Sequence, residues 1–499
     1  MAVLVAVFAT SAILLVALLV YLLRKRISSG ERPAKARSKR SGKSAAITPQ
    51  SAPVNSASRR RTFSASDYAE TAPASTYLPL PGAEPEPEEA PPALPPAIAA
   101  GQLQAIVFRQ VFPPHTAPDV TSYYGGVPTA QTAFEWPRDP ATGKPLHFIL
   151  QIDCAAIPEH ARLGLMPGTG ALYVFLDLEW GAGNAFRVIW SAAGSGQWRD
   201  IDPPGDIGMA YGAEAAHAWP WALTAEHGTP LLPRWPFDPV AVTLPFIDRD
   251  DDTPFNAPHW SGVLPEAQGA PVSSTHLTVQ DVTGEDNAMV PPFATFPHDW
   301  LAIQICVARL VRDAQREARH PRPSLFPELE GDAKVRQLEM IATEARAWFD
   351  HALKNPAFAV VPQPEREAFW QWFASYKPLT QLLAPRAIEA AIETTLHASP
   401  DLARDLPAEI VGRLASRHAL AVQTARGIHA NSPDRMLAPF SDVQGDQQEI
   451  AATHLLLLEL SGDEAIGHHF GEGVYQFWIT PDDLAARRFD QVVLTTAAY

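Results

Sequence analysis

Two strand pairs of one design, one near each end of the C-terminal four fifths of the chain, constrain its fold most. Leu146-His147-Phe148-Ile149-Leu150-Gln151-Ile152-Asp153 is followed by a turn region and then Gly170-Ala171-Leu172-Tyr173-Val174-Phe175-Leu176-Asp177. Leu455-Leu456-Leu457-Leu458-Glu459-Leu460 is followed by Gly471-Glu472-Gly473-Val474-Tyr475-Gln476-Phe477-Trp478-Ile479. Each is an apolar run of strand length, a glycine turn, and an aromatic-rich run that starts on glycine. Such a pair predicts an antiparallel β-rich body made by internal duplication, its two hairpins packed across a pseudo-twofold, each covering the apolar face of the other.

The texture between these pairs changes twice. From about residue 104 to 296, short strands at 148–152, 171–176, 186–190 and 240–246 are broken by Pro and Gly. Asp299-Trp300-Leu301 then opens a segment in which Ile303, Val307, Leu310, Val311 and Ala314 recur at helical spacing, with Arg and Glu on the other face. Further helices are expected at 333–354, 364–375, 385–398 and 408–430, the first of these stopped by Asn355-Pro356. The fold class is therefore α+β. The first β-rich half spans 102–298, a helical block 299–430 and the second β-rich half 431–499.

At these residues the chain resembles the YwqG-like family, the domain of unknown function 1963. The resemblance is carried by Tyr124-Gly125-Gly126-Val127-Pro128, Phe134-Glu135-Trp136-Pro137, the strand at 148–153, Gly170-Ala171-Leu172-Tyr173-Val174-Phe175, the isolated Gln444 and, above all, residues 473–490. It covers the two ends of the body and little of the helical middle, which implies that the middle is expanded. Glu459 stands where the family has Gln, Phe470 where it has Trp, and Gly471-Glu472-Gly473 replaces a longer Gly-Asp turn. The resemblance implies antiparallel sheet plus helices, and no reaction.

The N-terminus has a separate character. Residues 2–23 are apolar without a charge and are followed by Arg24-Lys25-Arg26. As a helix they would span about 33 Å, the thickness of a hydrocarbon core of about 30 Å. No basic residue precedes the run and no small-residue cleavage site ends it, so the expectation is an uncleaved transmembrane anchor over 1–26 and not a signal peptide. Basic residues cluster after the run, which predicts a single-pass membrane protein, its N-terminus outside and its body cytoplasmic, holding membrane lipid through the N-terminal helix. Residues 27–101 are Ser, Ala, Pro and charge. That composition predicts a disordered linker with a coil dimension of about 45 to 50 Å.

Twelve of the 39 Lys and Arg but only one of the 55 Asp and Glu precede Thr62, leaving residues 62–499 with a net charge of −27. Nucleic-acid binding, which rests on clustered Lys and Arg, is excluded from the expectation. Cys154 and Cys306 make no disulfide framework and read as buried thiols. His468-His469, with His454 and Glu472 near in sequence, lack a metal-site pattern, and Asp248-Arg249-Asp250-Asp251-Asp252 lacks the Gly and Glu of a calcium loop, so no metal and no cofactor are expected. Gly168-Thr169-Gly170, Gly181-Ala182-Gly183 and Gly194-Ser195-Gly196 read as turns.

Trp219-Pro220-Trp221 and Arg234-Trp235-Pro236 fall in a proline-rich region and are the candidates to floor a binding groove, through Trp219, Trp221 and Trp235. The first functional expectation is a non-enzymatic adaptor that binds a protein partner. The alternatives are an enzyme using Asp153, Glu459, Asp463 and Glu472 between the halves, or a protein that neutralises a toxin.

Overall fold

The computed structural model describes residues 103–115, 121–179, 185–194, 196–244, 276–420, 434–441, 447–470 and 473–498. Their framework is one antiparallel sheet of ten strands. From one edge it contains β12 (Val493–Ala498), β11 (Gly473–Ile479), β10 (Leu455–Ser461), β9 (Arg435–Met436) and β1 (Leu103–Gln110), and then β8 (Trp235–Leu244), β2 (Tyr123–Tyr124), β4 (His147–Asp153), β5 (Ala171–Leu176) and β6 (Phe186–Ser191). A separate small pair, β3 (Thr129–Ala130) with β7 (Arg199–Asp200), lies outside that sheet.

Strand order and register repeat about a twofold at the centre. β1 and β8 pair with Arg109 opposite Asp238, and those two side chains meet at 3.0 Å. Outward from that point, Tyr123 opposite Gln151 in one half matches Arg435 opposite Glu459 in the other. Gln151 opposite Tyr173 matches Glu459 opposite Gln476. Both hairpins carry an irregularity at the same place, between Phe148 and Leu150 and between Leu456 and Leu458.

The two hairpins share one apolar core, as expected, and β1 and β8 in addition join the halves edge to edge, since a strand in mid-sheet leaves no backbone donor or acceptor unpaired. The sheet then curls until its far edges approach. Phe186 on β6 lies 5.8 Å from Phe477 on β11, ring to ring, and Arg487 sits 4.8 Å over the ring of Trp190. Alternation along β5 explains why the whole strand is buried. Leu172, Val174 and Leu176 point into the curled interior with Phe477 and Ile479, while Ala171, Tyr173 and Phe175 face an outer cluster with Phe134 and Trp136.

The helical block forms a second core between β8 and β9 in the chain. α1 (Ala215–Ala218) is a single turn in a loop. α2 (Trp300–Arg319) starts at Asp299, whose carboxylate accepts from the Ala302 amide at 2.7 Å, and packs along α3 (Gly331–Ala352). α4 (Gln363–Ser375), α5 (Lys377–Ala398) and α6 (Ala408–Leu420) complete it. Residues 421–430 of the helix expected at 408–430 lie outside the described residues, and two element starts differ most from the sequence expectation. α5 begins at Lys377 and runs through Pro385, because burial of Leu379, Leu383, Ala387 and Ile388 outweighs one missing backbone donor. β8 begins at Trp235, within a stretch whose Pro236 and Pro239 masked it as a loop.

Among the described residues no helix is long and apolar enough to cross a membrane. This corrects the fold class that included a single transmembrane helix, together with the single-pass membrane character and the cytoplasmic placement of the body that followed from it. The long helices are charged on their solvent side. α2 carries Arg309, Asp313, Arg316 and Arg319 behind its apolar stripe. The expected anchor at 1–26 and linker at 27–101 lie outside the described residues.

Candidate functional site

Among the described residues, the carboxylates proposed from the sequence each hold a separate post. Asp153 ends β4, accepts from the Thr121 hydroxyl at 2.8 Å and caps the next turn through the Ala155 amide at 2.9 Å. Asp463 lies in the β10–β11 connection and accepts from Gln110 Nε2 at 2.7 Å and from the Ala465 amide at 2.9 Å. Glu459 is buried on β10, with four strands between it and β4 in the sheet. Glu472, Gln444 and the acidic run 248–252 lie outside the described residues.

The role of Glu459 follows from its partner under the twofold. In the first half Gln151 Oε1 accepts from the Thr129 amide at 2.9 Å, and the Tyr173 hydroxyl donates to the Thr129 carbonyl at 2.8 Å. In the second half Glu459 Oε2 accepts from the Ser441 amide at 2.9 Å, and Gln476 Nε2 donates to the Ser441 carbonyl at 2.8 Å. Each strand side chain staples the loop that follows the short strand beside it. Glu459 brings a charge to that post, and Arg435, standing where the first half has Tyr123, meets it at 2.7 Å. Burial lowers the Arg435 pKa, against the pull of Glu459 and Asp434. The replacement of Gln by Glu is thus matched within the same half, and the carboxylate is spent on the fold.

Next to it sits a buried acid–base pair. Asp434 accepts from the Ser461 amide at 2.7 Å and lies 3.9 Å from Nδ1 of His468. Neither ring nitrogen of His468 has a hydrogen-bond partner among the described residues, and its ring stacks on Phe470 at 4.8 Å. Burial raises the Asp434 carboxyl to about 7 and depresses His468 to about 3. Cys154 and Cys306 are buried, and burial pushes each thiol up to about 12. No group of three or more His, Cys, Asp or Glu among the described residues is arranged to hold a metal ion.

The tryptophans act as structure. Trp219 and Trp235 are fully buried, Trp235 with its ring 4.9 Å from that of His418. Trp221 stacks on Trp219 at 5.1 Å and donates its indole N–H to the His227 carbonyl at 3.1 Å. Trp219 and Trp221 adjoin a cleft without lining it. That cleft, of about 370 Å³, lies between the loop after α1 and helices α2 and α3.

Its walls are built by two devices. Arg312 of α2 donates Nη1 to the carbonyls of Ala216, Trp219 and Ala222 at 2.8 to 3.1 Å and Nη2 to that of Pro220 at 3.2 Å, clamping the loop to the helix. Its positive charge is held by carbonyl dipoles, and burial lowers its pKa. His227 receives the backbone amides of Leu223 and Thr224 at Nδ1, at 3.4 and 3.2 Å. Nδ1 therefore acts as acceptor, which places the proton of the neutral ring on Nε2. Arg346 of α3 makes no ion pair among the described residues, and Leu223, Val311 and Phe349 supply apolar wall. His217 and Gln315 complete the polar side, and Asp350 is the one carboxylate in the lining. Nothing in the sequence singled out Arg312, Arg346 or His227, because three separate segments bring them together.

The profile of the family described as domain of unknown function (DUF1963) matches residues 122–280 and 349–497, more than half of the chain. The chain belongs to that family. The two DUF1963 regions contain eleven of the twelve strands, and β1 precedes them. Residues 281–348, between the regions, contain α2 and all of α3 except its end. The cleft thus lies where α2 and most of α3, outside the DUF1963 match, meet a loop inside it, with Phe349 and Asp350 at the start of the second matched region. No curated protein matches the chain.

Proposed function

We propose that this DUF1963 protein is a non-enzymatic protein-interaction module that seats part of a partner in the cleft beside α2 and α3. The observation that carries this reading is one concavity that holds the two guanidiniums of Arg312 and Arg346, beside the imidazoles of His217 and His227, on a body whose net charge is strongly negative. Local charge of the opposite sign to its surroundings gives orientation and selectivity to an encounter. The shared Gln151 and Glu459 staples give Glu459 a structural role, which weighs against the enzyme reading that used it. On the string 473–490 we further place the chain with the YwqG-like members of the family.

A library of random peptides with free C-termini, panned on the full chain, tests the reading. Gln315→Trp, at an exposed position in the cleft wall, serves as the blocked control. Enriched peptides are expected to lose at least ten-fold in affinity for the Gln315→Trp protein while its melting temperature stays unchanged. Peptides that bind both proteins equally, or a library from which none is enriched, would refute a partner seat at this cleft.

A further inference from the structure

We infer that the group this cleft anchors is the C-terminal carboxylate of a peptide, an inference that rests on the binding role proposed above. Three features of the cleft point to it. Arg346 offers a planar guanidinium with no carboxylate of its own among the described residues, which suits bidentate recognition of a carboxylate. His227 has its Nδ1 committed to the Leu223 and Thr224 amides, so its remaining donor is Nε2–H, and its ring is fixed edge-on against Phe349 at 5.1 Å. A neutral imidazole locked in this tautomer is an N–H donor without the cost of recruiting a proton.

The second feature is shape. Leu223, Val311 and Phe349 provide apolar wall beside the donors, which fits a terminal residue with an aliphatic side chain. The third is openness. His217, Thr224, Gln315, Arg346 and Asp350 are all exposed, so the lining leaves much of any occupant in solvent. Sites for free small molecules bury about 70–90% of the ligand. A half-open cleft of about 370 Å³ suits the end of a longer chain whose remainder lies outside.

Charge sets a further preference. The body is acidic, and Asp350 stands in the cleft wall, so residues preceding the terminus are favoured when basic or neutral and disfavoured when acidic. The terminal carboxylate is then the negative group of the peptide, received by the guanidinium of Arg346. Because Arg346 and Asp350 are exposed, the attraction falls as salt rises.

The test uses the full chain and matched synthetic probes: acetyl-Ala-Lys-Ala-Leu with a free carboxylate, the same peptide as its C-terminal amide, and 4-methylpentanoate as a free small acid. Peptides enriched in the panning above are resynthesised in acid and amide forms and measured in parallel. Affinity is read by calorimetry at low and high salt. The acid form is expected to bind at least ten-fold more tightly than the amide. Arg346→Gln is expected to abolish that difference and Arg346→Lys to keep part of it. Amide and acid forms that bind alike, both lost in Gln315→Trp, would overturn the terminal-carboxylate inference while leaving the partner seat standing. Binding of 4-methylpentanoate as tight as the peptide acid would overturn it in favour of a small-molecule site. Failure of every peptide, panned or designed, to bind would overturn both.

Discussion

Asp434 and His468 should make the folding free energy respond to pH in a way that only the single variants reveal. The folded protein holds Asp434 up to about 7, against an ordinary carboxylate near 4, and His468 down to about 3, against an ordinary imidazole of about 6.5. For the raised carboxyl the stability contribution is complete below about pH 4 and is lost as pH rises toward 7, because the unfolded state releases the proton first. For the depressed imidazole the contribution is complete above about pH 6.5 and is lost as pH falls toward 3. Between about pH 4 and 6.5 the two slopes, each about 1.4 kcal/mol per pH unit, have opposite signs. They cancel in the native pair, since folding moves one proton's worth of binding from His468 to Asp434 and releases none.

Asp434→Asn keeps an acceptor for the Ser461 amide and removes one slope. Its stability relative to the parent is expected to rise with pH, by about 2 to 3 kcal/mol between pH 4.5 and 6.5. His468→Phe keeps the stack on Phe470 and removes the other, so its relative stability is expected to fall by a similar amount over the same range. Urea unfolding of the three proteins at pH 4.5, 5.5 and 6.5, with m-values checked for constancy, measures both. Offsets from the parent that stay constant with pH in both variants would refute the assignment of opposed, buried titrations to this pair.

Three further outcomes follow from the same geometry. Glu459→Gln removes the carboxylate that Arg435 meets at 2.7 Å in a fully buried site and is expected to cost about 3 to 5 kcal/mol in denaturant unfolding; adding Arg435→Tyr, which recreates the first half's pairing of Tyr123 with Gln151, should return much of that loss, and a double variant no more stable than the single one would sink the equivalence of the staples. Arg312→Met deletes four donations to carbonyls of the 216–222 loop, so hydrogen exchange there should accelerate while the sheet is unaffected, at a global cost of about 2 to 3 kcal/mol; unchanged exchange would show that the clamp is idle. Gly125 has φ of +55° and a Cβ there would come 2.2 Å from the Pro233 carbonyl oxygen, so Gly125→Ala should lower stability by more than about 1 kcal/mol, and a neutral melting temperature would contradict the close approach.

Much of the sheet was readable because the apolar runs are short, alternating in role and punctuated by glycine. The runs at 171–176 and 474–479 fall on β5 and β11, and Asp299 caps α2 as its position before an apolar helical stripe suggested. The central strands were harder. β2 and β9 are two residues each, below the length at which a pattern exists, and β8 is disguised by its prolines. The structural post of Glu459 is hidden in the sequence for a related reason. Glu459 looks like a lone charge in an apolar strand, which in sequence is indistinguishable from a reactive group; the Ser441 loop and Arg435 that explain it lie elsewhere in the chain.

Local sequence determined the strand pairs, the helix stripes and the buried state of both thiols, since each depends on periodicity and composition within a few turns or one hairpin. The edge-to-edge joining of the two halves, the neutral Asp434–His468 pair and the cleft were decided only by the tertiary structure. Each depends on groups that the chain separates and the sheet's register or the helix packing reunites: Asp434 with His468 across a β-hairpin, and Arg312 and Arg346 with His227 across three elements. A carboxylate's burial, a histidine's tautomer and a guanidinium's lack of a partner are properties of such assembled surroundings, and no stretch of sequence contains them.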